Sequence, residues 1–494
     1  MRSAGVLLPV TALPGGHGIG TLGAAARQFL DFLQAGGQRV WQMLPLGPTG
    51  FGDSPYQCFS SFAGNPYLID LDDLCRDGLL ERSEYAPLDW GRDPGRVDYG
   101  LLYRQRFAVL EPAARRARER FPQEYAAYCK AQAAWLPDYA LFMALKDYQN
   151  GASWDRWPEP LRRRTPDALR RARALLAPQI AFWQGVQFLF ARQWAALRRE
   201  AAGRGIRLVG DLPIYTAFDS ADVWAATDLF QLGPDLRPTF VAGCPPDAFS
   251  PTGQLWGNPL YDWPRMAQDN YAWWQRRLAH QFAWFDEVRL DHFRGFAAYY
   301  AIPAGDRDAT GGAWQPGPGL AFFDAMRRAL GPLPLIAEDL GLLTPDVYEL
   351  LEATGFPGMK ILQFAFDDEN FQSDYLPHRY SRRCVVYTGT HDNDTTRGWL
   401  RTAPPETRAR AAAYLRLHDP DGPVWGMLRS AWASVADLAI TPLQDLLALD
   451  SSARMNTPAT LGGNWTWRCP AGALTPALAT RLRREMTIYG RLAD

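Results

Sequence analysis

The 494-residue chain is 47% hydrophobic and carries a formal net charge of −1. That is ample apolar material for a large core, and no field to draw in nucleic acid or an anionic membrane. Six cysteines (58, 75, 129, 244, 384, 469) are scattered without CxxC or CxxH spacing, and no apolar run approaches membrane-spanning length. The expectation is a cytoplasmic chain with reduced thiols and no metal.

Taken in chain order, the start "MRSAGVLLPVTALPGG" holds a short apolar run broken by Pro9, a buried strand rather than a signal peptide. Further strand-like runs follow at 39–46, 206–214, 287–293, 333–341, 359–366, 383–392 and 437–449. "GIGTLG" (18–23) matches GxGxxG, but Pro14 and neighbouring residues separate it from the first strand. It reads as a turn into a helix, not a dinucleotide site. Residues 70–205 are rich in Ala, Arg and Leu and read as an inserted helical subdomain. Residues 215–262 form a second insertion ending in the loop-like "CPPDAFSPTGQLWGNPLY". Between 263 and 285, Tyr271, Trp274, Leu278, Phe282 and Phe285 recur at helical spacing, with Asp262 as cap. One helix over 475–491 follows the last strand.

Near-continuous apolar strands alternating with helices indicate parallel strands buried on both faces. Eight of them predict a (β/α)₈ barrel, with a doubly wound sheet as the alternative. The expected division is 1–69 (strands 1 and 2), 70–205 (helical insertion), 206–214 (strand 3), 215–262 (second insertion) and 263–494 (the rest of the barrel), with no C-terminal β-domain.

Barrel enzymes carry their chemistry at the C-terminal ends of strands. The acids there are Asp211, Asp291, Glu338, Asp339 and Asp392, with Arg289 and His391 as cationic neighbours. Singly, each acid is a salt-bridge strut or a capped turn; together on one rim they suit a glycosidic bond, where one carboxylate attacks and a protonated partner donates. Arg289, on the same strand face as Asp291, is expected to lower its pKa, and like charges to raise that of Glu338. Aromatics make up 13% of the chain, including 19 Trp, several of them in polar loops where a pyranose face could stack.

"RLDHFRG", "IAEDLG" and "YTGTHDNDT" resemble, in that order, the nucleophile, acid/base and stabiliser segments of the α-amylase superfamily. "LPLGPTGFGDSPYQCFSSFAGNPYLIDL", "DLPIYTAFDSADVW", "PPDAFSPTGQLWGNPLY" and "NTPATLGGNWTWR" resemble its 4-α-glucanotransferase branch, the amylomaltases or disproportionating enzymes. The similarity covers about residues 3–489. It implies a (β/α)₈ barrel acting without cofactor on α-1,4-glucans (maltooligosaccharides, amylose, glycogen), transferring segments through a covalent glycosyl-Asp intermediate and forming cyclic glucans. It assigns Asp291 as nucleophile, Glu338 as acid/base and Asp392 as stabiliser, with Arg289 and His391 holding the glucose next to the cleaved bond. Ser54, Tyr56, Asp211, Asp247, Gln254, Trp256 and Asn464 fall in its groove segments, and 245–261 resembles its lid. Ala459 stands in "NTPAT" where glycine is expected, so a positive φ there would strain the loop. A hydrolase with the same triad and an inactive glucan-binding barrel stay open as alternatives.

Overall fold

In the computed structural model of the chain, residues 2–492 are described except 247–249, 342, 416 and 418–420. Twelve strands are present among them: β1 Ser3–Leu7, β2 Val40–Gln42, β3 Arg207–Leu212, β4 Phe240–Cys244, β5 Gln254–Pro259, β6 Glu287–Leu290, β7 Ala298–Pro303, β8 Ala313–Pro316, β9 Leu335–Ala337, β10 Gly358–Ile361, β11 Cys384–Tyr387 and β12 Leu438–Pro442. Eight of them are parallel, in the order β10-β11-β12-β1-β2-β3-β6-β9. Val6, Val40, Leu208, Val288, Ile336, Ile361, Val386 and Ile440, one from each, are all buried. Each of the eight falls on an expected run, β1 and β10 beginning one residue ahead of theirs, and helices alternate with them, as the (β/α)₈ reading requires.

The barrel closes between β9 and β10 without a hydrogen-bonded ladder. The Ala337 N–H donates to Pro357 O at 2.9 Å, and Asp339 Oδ1 accepts the Met359 N–H at 2.6 Å. Gly358 makes this join possible, because a Cβ there would lie 2.3 Å from the Asp339 carboxylate. Between β1 and β12 the closure is a full five-residue register. Buried Arg491 reinforces it, donating to Ser3 O and Trp432 O at 2.8 and 2.7 Å.

Between β2 and β3 the chain runs through seven α-helices and no strand, from Leu71–Arg76 to Ala177–Gly203. The last of these fixes the loop after β2 through two side-chain amides that imitate a neighbouring strand. Gln187 pairs with both backbone groups of Gly64 at 2.8 Å, and Gln193 with those of Asp70 at 2.7 and 3.0 Å.

Two expectations need correction. The 215–262 insertion, expected to end in a loop-like run, contains β4 and, inside that run, β5, half of an antiparallel sheet ordered β5-β4-β7-β8. The single helix expected over 263–285 is two, Trp263–Ala267 and Ala272–Trp284. Asn270 and Tyr271, both at positive φ, break it, although Asp262 does cap the start, accepting the Arg265 N–H at 2.9 Å. Among the described residues no single helix is long and apolar enough to cross a membrane.

Candidate active site

Register builds the site. β3 and β6 pair Asp211 directly with Arg289, and both side chains face inward, 0% and 4% exposed. Arg289 Nη1 donates to both Asp211 oxygens at 2.8 Å and lies 2.9 Å from Asp291 Oδ1. Asp291, two residues beyond Arg289 on the same face, is thus anchored by a cation whose other side is already satisfied. β6 and β9 pair Leu290 with Ala337, so Asp291 and Glu338 stand side by side one residue past the strand ends. The backbone holds Glu338: Oε2 accepts the His292 N–H at 2.7 Å and Oε1 the Leu340 N–H at 2.9 Å.

A second arm of the network comes from loops. The Tyr56 hydroxyl donates to Asp211 Oδ2 at 2.7 Å and lies 2.8 Å from His391 Nε2, with the two rings stacked at 5.4 Å. His391 Nε2 is 3.3 Å from Asp392 Oδ2. The Asp392 side chain opens to the cleft, while its Oδ1 accepts the Asn456 amide at 2.6 Å and its backbone oxygen the Arg454 guanidinium at 2.6 Å. Asn456 escaped the sequence reading. A neutral amide in a loop far along the chain carries no signal until the fold delivers it.

The three carboxyls differ in proton affinity. Burial raises Asp291 to about 6, with Arg289 pulling the other way and Asp211 and Asp392 pushing it further up. The expected lowering by Arg289 is therefore outweighed: 26% of the side chain reaches solvent, and the enclosed remainder costs the charge more than one shared guanidinium returns. Glu338 rises to about 8, as expected in direction, chiefly through burial, with Asp291 adding to it. Burial would raise Asp392 too, but the adjacent His391, the bond to it and the Asn456 amide hold it well below the usual carboxylate range.

The remaining expected residues divide. Trp256 lies edge-on to His292 at 4.8 Å, beside Asp291, and its indole N–H donates to Gln254 Oε1 at 3.0 Å. Ser54 Oγ accepts the Tyr56 N–H at 3.2 Å, so it shapes the turn that delivers Tyr56. Asn464 is engaged with its own loop, its Oδ1 accepting the Thr457 N–H at 3.0 Å and its Nδ2 donating to Thr460 O at 3.1 Å. Asp247 lies outside the described residues. His292 and Trp465 were not among the expected site residues; Trp465 lies 5.8 Å from Tyr56 and 6.0 Å from His391.

A parallel barrel with unequal carboxyls around one guanidinium at its C-terminal rim defines a class, the (β/α)₈ enzymes that work on glycosidic bonds. Comparison with known proteins narrows it. Residues 8–475 match the family described as 4-alpha-glucanotransferase. The chain is 50% identical to the 4-alpha-glucanotransferase of Thermus thermophilus, over 99% of both chains. It is 47% identical to that of Streptococcus pneumoniae serotype 4, over 100% of this chain and 98% of the relative. Amylomaltase from Streptococcus agalactiae, solved in complex with acarbose, superposes with a TM-score of 0.97 at 40% identity, covering 99% of this chain and 100% of that one. The chain belongs to the 4-alpha-glucanotransferase family and is a glucan-transferring enzyme.

Proposed function

We propose that the chain moves α-1,4-glucan segments between maltooligosaccharide or amylose chains, glycogen included, by double displacement on Asp291, Glu338 and Asp392. The observation that carries this reading is the adjacency of Asp291 and Glu338, one ionised and one protonated near neutral pH. The Asp291 carboxylate attacks the anomeric carbon while the glycosidic C–O bond breaks, and Glu338 passes its proton to the departing 4-oxygen. Asp291 contributes to the high proton affinity of Glu338, so turning it into a neutral ester makes Glu338 a weaker acid-holder. Glu338 can then take the proton of the incoming 4-hydroxyl as that oxygen displaces the ester. The same charge logic lets one residue serve as acid and then base.

Asp392, kept ionised, faces the positive charge that develops on the sugar ring. Arg289 and His391 hold the ring at the cleaved bond, with Tyr56 and Asp211 fixing both from below. Trp256, Gln254 and Asp247 belong to a lid segment, and Ser54 and Asn464 support the groove through their loops. Where an acceptor hydroxyl of the same chain attacks, the product is a cyclic glucan. In this reading 70–205 and 215–262 are insertions bordering the cleft, and 1–69, 206–214 and 263–494 complete the barrel. Among the described residues no disulfide joins the six cysteines, in keeping with a reducing, cytoplasmic setting.

Maltotriose is the discriminating substrate. The expected products are glucose plus longer chains at constant reducing-end number, whereas reducing ends growing with every bond cleaved would mark a hydrolase. Asp291→Asn should stop transfer while leaving maltooligosaccharide binding measurable by titration. Full turnover in that variant would overturn the assignment.

A further inference from the structure

The Asp392 side chain is 44% exposed to the cleft, so the direction in which its charge points depends on the hydrogen bonds that hold it. Two donors reach the carboxylate. His391 Nε2 lies 3.3 Å from Oδ2, but it is nearer, at 2.8 Å, to the Tyr56 hydroxyl. A ring nitrogen carries at most one proton, and the closer oxygen takes the larger share of it. The Asn456 amide meets Oδ1 at 2.6 Å, with no competing acceptor among the described residues. It is the firmer of the two holds.

Asn456 is itself fixed to the loop that carries Asp392. Its N–H donates to His391 O at 3.1 Å. Arg454 bridges Asn456 O at 2.7 Å and Asp392 O at 2.6 Å, and the Trp465 N–H closes the far side on Met455 O at 2.8 Å. Segment 454–456 is thus docked on 391–392 along its backbone, and the amide approaches Asp392 from a set direction. The type of donor matters as well. A Lys or Arg in its place would bond the carboxylate but cancel much of the charge that faces a positive transition state. A neutral amide fixes the carboxylate and leaves its charge whole.

We propose that Asn456 is a positioning residue for glucan transfer: it aims the Asp392 carboxylate at the sugar ring without neutralising it. The proposal rests on the reading of Asp392 as the group that faces the developing positive charge.

Two substitutions test it. Asn456→Ala removes the donor, and Asn456→Asp makes it titratable in nearly the same shape. In the second variant the new carboxyl stands against Asp392, so it keeps its proton to higher pH than a free carboxyl does. Protonated, it donates to Asp392 as the amide did; ionised, it repels it. The other charged and titratable groups facing Asp392, namely His391, Arg289, Asp291 and Tyr56, are unchanged, as is Arg454 on its backbone oxygen.

Initial rates of maltotriose disproportionation are read across pH, each variant as a ratio to the parent. Asn456→Ala should lower kcat by about 10²-fold, the cost of a misplacement near 1 Å, at every pH and with KM almost unchanged. Asn456→Asp should approach the parent near about pH 5 and fall to the level of Asn456→Ala by about pH 8. A parental kcat in Asn456→Ala, or a ratio for Asn456→Asp that does not change with pH, overturns the proposal. Because the second variant preserves the side chain's shape, the test survives a folding defect in the first. Asp392→Asn separates the proposal from the reading beneath it. Parental turnover there would refute the role given to Asp392, whereas lost turnover there beside unimpaired Asn456 variants refutes the positioning role alone.

Discussion

Proton affinity at this rim follows from what each carboxyl touches. Asp291 shares one guanidinium with Asp211 and ends near 6; Glu338, bonded only to backbone N–H groups and buried, ends near 8. The proposed mechanism needs the first ionised and the second protonated. kcat/KM should therefore rise as pH passes about 6 and fall as it passes about 8, which initial rates of maltotriose disproportionation across pH would show. The same shift acts on stability. The folded state holds the Glu338 proton more tightly than the unfolded chain, whose value is 4.5, so this residue's contribution is intact below 4.5 and is lost as pH rises toward 8. Glu338→Gln cannot ionise. It should match the parent in thermal stability at pH 4 and exceed it at pH 8; equal melting temperatures at both pH values would refute the buried-acid account.

At the level of elements, loops are asked for geometry that their residues do not all prefer. Ala459, in the loop that also supplies Asn456, sits at φ +60°, where a Cβ costs about 1–2 kcal/mol. Ala459→Gly relieves that strain but adds freedom to the unfolded chain, worth ~0.4–1 kcal/mol. The net expectation is a stabilisation of about 0.5 kcal/mol, readable in denaturant midpoints with the m-value unchanged.

The eight barrel strands were legible because strands buried on both faces leave unbroken apolar runs. The antiparallel sheet was not. All four residues of β8 are exposed, and β5 interleaves Gly257 and Asn258 with its apolar residues, so neither period survives. At the site, Asp291, Glu338 and Asp392 were visible as rim acids. The pairing of Asp211 with Arg289, and of Asn456 with Asp392, depends on register and loop path, which no local pattern encodes. The sign of the Asp291 shift was misjudged for a related reason: one neighbouring charge can be read along a strand, whereas the extent of enclosure cannot.

Across the whole molecule the two barrel joins are unequal. β12 and β1 share a continuous ladder reinforced by Arg491. β9 and β10 meet through one backbone bond and the Asp339 side chain. Regions with few backbone bonds open at lower free energy than the rest. Amide exchange at Ala337 and Met359 should accordingly outpace exchange at Val6 and Ile440, and equal rates at all four would show the joins to be equivalent. Glu338 is the next residue after Ala337, on the weaker edge. A crack there would wet the proposed proton donor while the rest of the barrel stays dry, so on slow heating the enzyme's turnover should fade before its shape does.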